Sequence, residues 1–195
     1  MAVLGITDFK SKLVGGGARN NLFKVTCNFP GFARGNTELA SFMIKAAQLP
    51  SSIITPITIP FRGRQMQIAG DRVFEAWGIT VINDTNMEIR NAFERWVNGI
   101  NNNSSNTGLT NPSSYTTDMV VEQLNKGGAV TKRYDIRGVF PSTVSAIDLS
   151  YDSENTIEEF GVELQMLYWE SPQSRAGSTA GATLGDIVTN ALGTV

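Results

Sequence analysis

Five carboxylates, Asp148, Asp152, Glu154, Glu158 and Glu159, crowd into one short run, while Asp71 and Asp84 lie apart from it. Two carboxylates at the right separation carry out the acid and base steps of glycoside hydrolysis. An enzymatic reading therefore falls on Asp148 or Asp152, and it requires one of them to be buried beside a cleft. The run is interleaved with Ser and Asn ahead of a strand pattern, which is the composition of a solvated turn, and that is the preferred reading. Its aspartates and Asn155 lack the ligand spacing and central glycine of a calcium loop. GGGARN and AGDR lack the lysine and helix of a phosphate loop. The chain contains no histidine, so Ser-His and Cys-His catalysis are excluded and the commonest zinc ligand is missing. No catalytic residue, metal or cofactor is expected.

Cys27 is the single cysteine. It can form no intrachain disulfide, and its place in an apolar alternation predicts a buried, inert thiol. The cations Lys24, Lys45, Arg62, Arg64, Arg72, Lys132, Arg133 and Arg137 are spread over several strand patterns. They read either as ordinary surface charge or as partners for the acidic run of a neighbouring copy. A formal net charge of -2 and a pI near 5.2 argue against tight binding to nucleic acid by phosphate neutralisation.

Several elements position these groups. Phe74 to Asn83 alternates as a half-buried strand, with Trp77, Ile79 and Val81 on one face and Gly78, Thr80 and Ile82 on the other. A helix follows, because Ile89, Ala92, Phe93, Trp96 and Val97 form one apolar stripe. Thr85 and Glu88 fit a capping box, and Gly99 fits a C-cap. Strands are predicted at Phe23 to Phe29, at Leu39 to Ala47, at Ile57 to Ile59 as an edge between Pro56 and Pro60, and at Arg64 to Ala69. Gly70-Asp71 is expected to turn the chain. Thr117 to Asn125 and Val130 to Gly138 read as a hairpin through Lys126 to Ala129, closed by Phe140-Pro141. The last strand runs from Phe160 towards Tyr168, and the segment 100–111, rich in Asn and Ser, reads as a loop. With 195 residues, 41% hydrophobic and 17% charged, the chain suits one globular domain. The expected division is a flexible arm over 1–20, the domain over 21–170, and a Gly/Ala/Ser/Thr-rich tail over 171–195. Leu184, Ile187, Val188, Ala191 and Leu192 in that tail have helical spacing. No run suits a membrane span or a secretion signal. Short strands with one helix predict a mainly β sandwich or barrel with a single packed helix.

Three segments in order, LPSSIITPITIPFRGRQMQIAGDR, AGDRVFEAWGITVIND with the helix ending FERW, and IRGVFPSTVSAIDLSYDSENTIEEFGVELQMLYWE, closely resemble the tail tube proteins of contractile-tailed bacteriophages. The resemblance covers about residues 21–170. It implies a non-enzymatic virion protein, assembled in the bacterial host cytoplasm into stacked hexameric rings whose inner strands join as one continuous β-barrel. Implied partners are further copies of the chain, the tail sheath, baseplate and tail-terminator proteins, and the tape-measure protein and DNA passing through the lumen. Gln65, Gln67, Glu163 and Gln165 are the lumen candidates. Arg62, Arg64, Arg72, Asp152, Glu154 and Glu159 are the candidates for contacts between rings or with sheath. A baseplate tube initiator, the tube of a phage-derived injection particle and, more remotely, a carbohydrate-binding β-sandwich are the alternatives.

Overall fold

Alternating apolar residues build most of the sheet, and the computed structural model describes residues 5–172. In chain order the elements are α1 (Ile6–Lys12), β1 (Phe23–Thr26), α2 (Thr37–Met43), β2 (Ile44–Ala47), β3 (Ser52–Phe61), β4 (Arg64–Phe74) and β5 (Trp77–Ile82). They continue with α3 (Glu88–Ile100), α4 (Pro112–Tyr115), β6 (Thr117–Leu124), β7 (Val130–Val144), β8 (Glu159–Gln165) and β9 (Tyr168–Glu170). The main sheet has the order β1-β6-β7-β8-β5-β2, with β9 added to β7, and β3 and β4 pair separately as a two-stranded ribbon. All pairs are antiparallel.

β7 links the two halves of the main sheet. Its residues from Val130 to Val139 pair with β6, and those from Phe140 to Val144 pair with β8. Just ahead of that changeover Gly138 takes a φ of 62°, a conformation that costs a side chain energy but glycine little. Val25, Met119, Val121 and Ile136 from one half meet Trp77, Ile79, Val81, Phe160, Val162 and Leu164 from the other in one core. α3 covers it with Ile89, Phe93 and Trp96, so the predicted stripe faces the interior. Phe29 sits edge-on to Phe93 at 5.1 Å and to Trp96 at 5.9 Å between ring centroids. Burying each such side chain contributes about 1.5–3 kcal/mol. The indole N–H groups are also satisfied: Trp77 donates to the Gln48 carbonyl at 2.6 Å and Trp96 to the Tyr115 carbonyl at 2.7 Å. Cys27 is buried as expected, and burial pushes its thiol ionisation well above the ordinary range.

Several local expectations are corrected. Leu39 to Met43 is helix, because the Asn36 side chain caps it by accepting from the Glu38 and Leu39 amides, both at 3.1 Å. Leu39, Ala40, Met43 and Ile44 then turn inward at helical spacing and Phe42 turns out. Gly70-Asp71 is no turn but the middle of β4, opposite a bulge where a Cβ on Gly70 would stand 2.5 Å from the Thr55 carbonyl oxygen. The start of α3 is capped by Asp84, whose carboxylate accepts from the Glu88 amide at 2.9 Å and the Asn86 amide at 3.2 Å, in place of the Thr85/Glu88 box. Gly99 lies inside α3, where a Cβ would come within 2.3 Å of the Phe32 ring, and the helix ends at Asn101. β7 continues through Phe140-Pro141, absorbing the proline at a register shift. The last strand breaks after Gln165, where the Leu167 amide donates to the Arg137 carbonyl at 3.0 Å and starts the separate β9. The helical spacing from Leu184 to Leu192 lies outside the described residues.

Candidate assembly surfaces

The ribbon of β3 and β4 is the continuation of the β2–β5 pair. β2 leads into β3 and β4 leads back into β5, with the Gln48 amide donating to the Gly78 carbonyl at 3.3 Å at the junction. Ten residues of β3 at a strand rise of about 3.3 Å carry it roughly 30 Å. Arg62 (φ 46°) and Gly63 (φ 80°) make the tight turn at its tip, the left-handed pair that hairpins of this length use.

Register divides the ribbon into two unlike faces. Ile57 opposes Ile68, Ile59 opposes Met66 and Phe61 opposes Arg64, whereas Thr58 opposes Gln67 and Pro60 opposes Gln65. The Thr58 hydroxyl donates to the Gln67 amide oxygen at 2.9 Å. The apolar row is 39% to 65% exposed. An isolated two-stranded ribbon is marginal in water, and an uncovered apolar row on one is the mark of a surface made for another molecule.

A second surface is the non-core face of β2, β5, β8 and the end of β7. It is lined by small or uncharged groups, Ala46, Gly78, Thr80, Gly161 and Ser145, with Glu163 as the carboxylate. The Ser145 hydroxyl knits β7 to β8 by accepting from the Gly161 amide at 2.7 Å and donating to its carbonyl at 3.0 Å. Of the four lumen candidates, Glu163 and Gln165 lie on this face, opposite the buried Phe160, Val162 and Leu164. Gln65 and Gln67 lie on the ribbon instead, on its amide face.

The acidic run forms an exposed loop between β7 and β8. Asp148, Asp152 and Glu154 are all exposed, so the buried carboxylate that the glycosidase reading requires is absent from the described residues. Leu149, Tyr151 and Ile157, interleaved with them, are each at least 68% exposed, a feature that composition concealed. Glu158 accepts from the Asn83 amide at 3.0 Å, and Glu159 pairs with Lys45 at 2.5 Å.

The cations divide in the same way. Arg133 pairs with Asp135 at 2.8 Å and Glu122 at 3.4 Å, and Arg137 with Asp118 at 2.5 Å. Each guanidinium is held above its usual pKa, first by the hydrogen bond it donates to its own aspartate partner, so both remain charged. Arg62, Arg64 and Arg72 sit on the ribbon with no carboxylate partner among the described residues, Arg62 lying 5.3 Å from the Phe61 ring centroid.

A model of phage tail tube proteins matches residues 18–171. The chain belongs to the phage tail tube protein family. It is 33% identical to the tail tube protein gp19 of Enterobacteria phage T4 over 154 residues, 78% of this chain and 91% of that protein. It is 30% identical to the tail tube protein of Serratia phage KSP90 over 174 residues, 87% of this chain and 98% of that one. The family fold recurs in solved structures. A chain of the anti-feeding prophage baseplate superposes with a TM-score of 0.59 at 12% identity, covering 80% of this chain and 95% of that one. A chain of the PVC sheath-tube complex in its extended state superposes with a TM-score of 0.56 at 14% identity, covering 83% and 95%. The expected mainly β architecture with a packed helix is the fold observed, with the main sheet left open in the single chain. Among the described residues no helix is long and apolar enough to cross a membrane.

Proposed function

We propose that this chain is the repeating subunit of the inner tube of a contractile tail. The observation that carries the reading is the unsupported ribbon, whose apolar face and unpaired strand edges are satisfied only when another copy covers them. Head-to-tail contacts of this kind propagate into closed rings and then into a stack. The four strands β2, β5, β8 and β7 of each copy form one staved wall of a continuous hexameric barrel, and their small-residue face lines the lumen.

Glu163 and Gln165 project from that wall, and the amide face of the ribbon, with Gln65 and Gln67, extends it. Hydroxyls, amides and carboxylates dominate this lining, and the one cation beside it among the described residues, Lys45, is held by Glu159, so DNA and the tape-measure protein slide without a binding well at each ring. Arg62, Arg64 and Arg72 supply positive charge to contacts between copies. Asp152 and Glu154 supply negative charge to contacts with a copy or with the sheath, while Glu159, on the same face of β8 as Glu163 and paired with Lys45, stands at the end of the wall. The protein works by assembly and performs no reaction. It is built in the host cytoplasm, is started by the baseplate, is ended by a terminator and resides in the virion tail.

Electron microscopy over a concentration series, with and without baseplates as seeds, tests the reading. Rings or hollow filaments are expected. A monomer that persists at every concentration even with seeds overturns it.

A further inference from the structure

Helix α1 lies ahead of the segment that matches the family model. Ile6 and Phe9 of the helix and Leu13 at its C-cap are spaced by three and four residues. These three side chains are 45% to 85% exposed, and no residue of the helix is buried. Lys10 and Lys12 occupy its last turn. Gly15, Gly16 and Gly17, all at positive φ, join it to the body, a linkage that leaves the helix free to be placed elsewhere. The loop between β7 and β8 has the complementary character. Leu149, Tyr151 and Ile157 stand out into solvent between Asp148, Asp152 and Glu154, and no lysine or arginine occurs from Gly138 to Pro172 to neutralise them.

Resting on the tube reading above, we propose that α1 docks on the acidic loop of a second copy, setting Ile6, Phe9 and Leu13 against Leu149, Tyr151 and Ile157, with Lys10 and Lys12 facing Asp148, Asp152 and Glu154. The ribbon is the poorer partner for this loop. Its apolar row spans two strands and suits a sheet, whereas three apolar side chains on one short helix and its C-cap match three on a loop. Burial of the apolar groups supplies the affinity, and the charges fix which helix meets which loop.

A mixture of Phe9→Cys and Tyr151→Cys subunits, assembled and then oxidised with copper-phenanthroline, tests the contact. Cys27 is buried and offers no competing thiol. The expected result is a disulfide-linked dimer on denaturing gels in the mixture and in neither variant alone. In parallel, Lys10→Glu with Lys12→Glu raises the critical concentration for assembly about tenfold, and Asp152→Lys with Glu154→Lys in the same chain restores it. Tubes that form normally without the cross-link, or that cross-link Tyr151→Cys to Phe61→Cys on the ribbon tip instead, overturn the α1 contact and leave the tube reading standing. Failure of the unmodified chain to assemble, with baseplate seeds present, overturns both.

Discussion

At the scale of single residues, Cys27 shows how burial translates into a measurable property. Its folded thiol ionises only far above the ordinary range because the thiolate has no water to solvate it. The unfolded thiol ionises near about 8.5. Above that pH the unfolded chain has lost a proton that the folded chain retains, so the proton-binding difference makes stability fall as pH rises, by up to about 1.4 kcal/mol per pH unit from this group. Below about pH 8 both states hold the proton and Cys27 adds no pH dependence. Urea midpoints of the wild type and Cys27→Ala at pH 7 and pH 10 check this: the wild type is expected to lose more between the two, and equal losses refute the assignment. This residue was legible in the sequence because its neighbours alternate. Gly35 was not. A Cβ there would stand 2.2 Å from the Phe29 ring, and nothing in a one-dimensional pattern says that a glycine lies under an aromatic ring brought in from outside its own element.

At the scale of elements, legibility follows from how many partners an element has. β5 and β8 are flanked by strands on both sides and covered on one face, and the alternation of Trp77, Ile79 and Val81 with Gly78, Thr80 and Ile82 came through intact. α2 is ambiguous in the sequence because Leu39 to Ala47 contains alternating apolar residues and a helical set at once; the cap at Asn36, a tertiary-independent signal, decides between them. The ribbon is legible in the sequence only in fragments, since its two prolines and Gly70 resemble breaks when the partner strand is unknown. Its two faces give a prediction at this scale. Ile57→Thr with Ile68→Thr changes side chains that already face water in the single chain, so the urea midpoint of the monomer is expected to move by no more than about 0.5 kcal/mol in equivalent stability. Sedimentation of the same variant is expected to show loss of filaments. A variant that assembles like the wild type removes the ribbon's apolar face from the interface.

At the scale of the whole molecule, the chain is an open sheet with its missing contacts displayed. The core and helix stabilise one subunit, while the ribbon, the acidic loop and the free sheet edges carry the contacts that a subunit does not make with itself. Sequence could show which residues are apolar or charged but not which of them lacked a partner, because that depends on where the sheet stops. The same logic decides what the lumen tolerates. If the small-residue face of β5 and β8 lines a tube, one substitution is repeated around every ring and along every layer, so Glu163→Lys turns a lining whose Lys45 is already held by Glu159 into a lattice of unpaired cations. Such filaments are expected to assemble, because Glu163 is exposed and forms no ion pair among the described residues, but to retain short duplex DNA at low salt and release it steeply as salt rises. Glu163→Gln, which removes charge without reversing it, is expected to retain no more than the wild type. Filter retention of labelled duplex on preformed filaments across a salt series distinguishes the two variants. Equal retention by Glu163→Lys and wild-type filaments places Glu163 away from the lumen, and with it the face of the sheet on which the conduit is built.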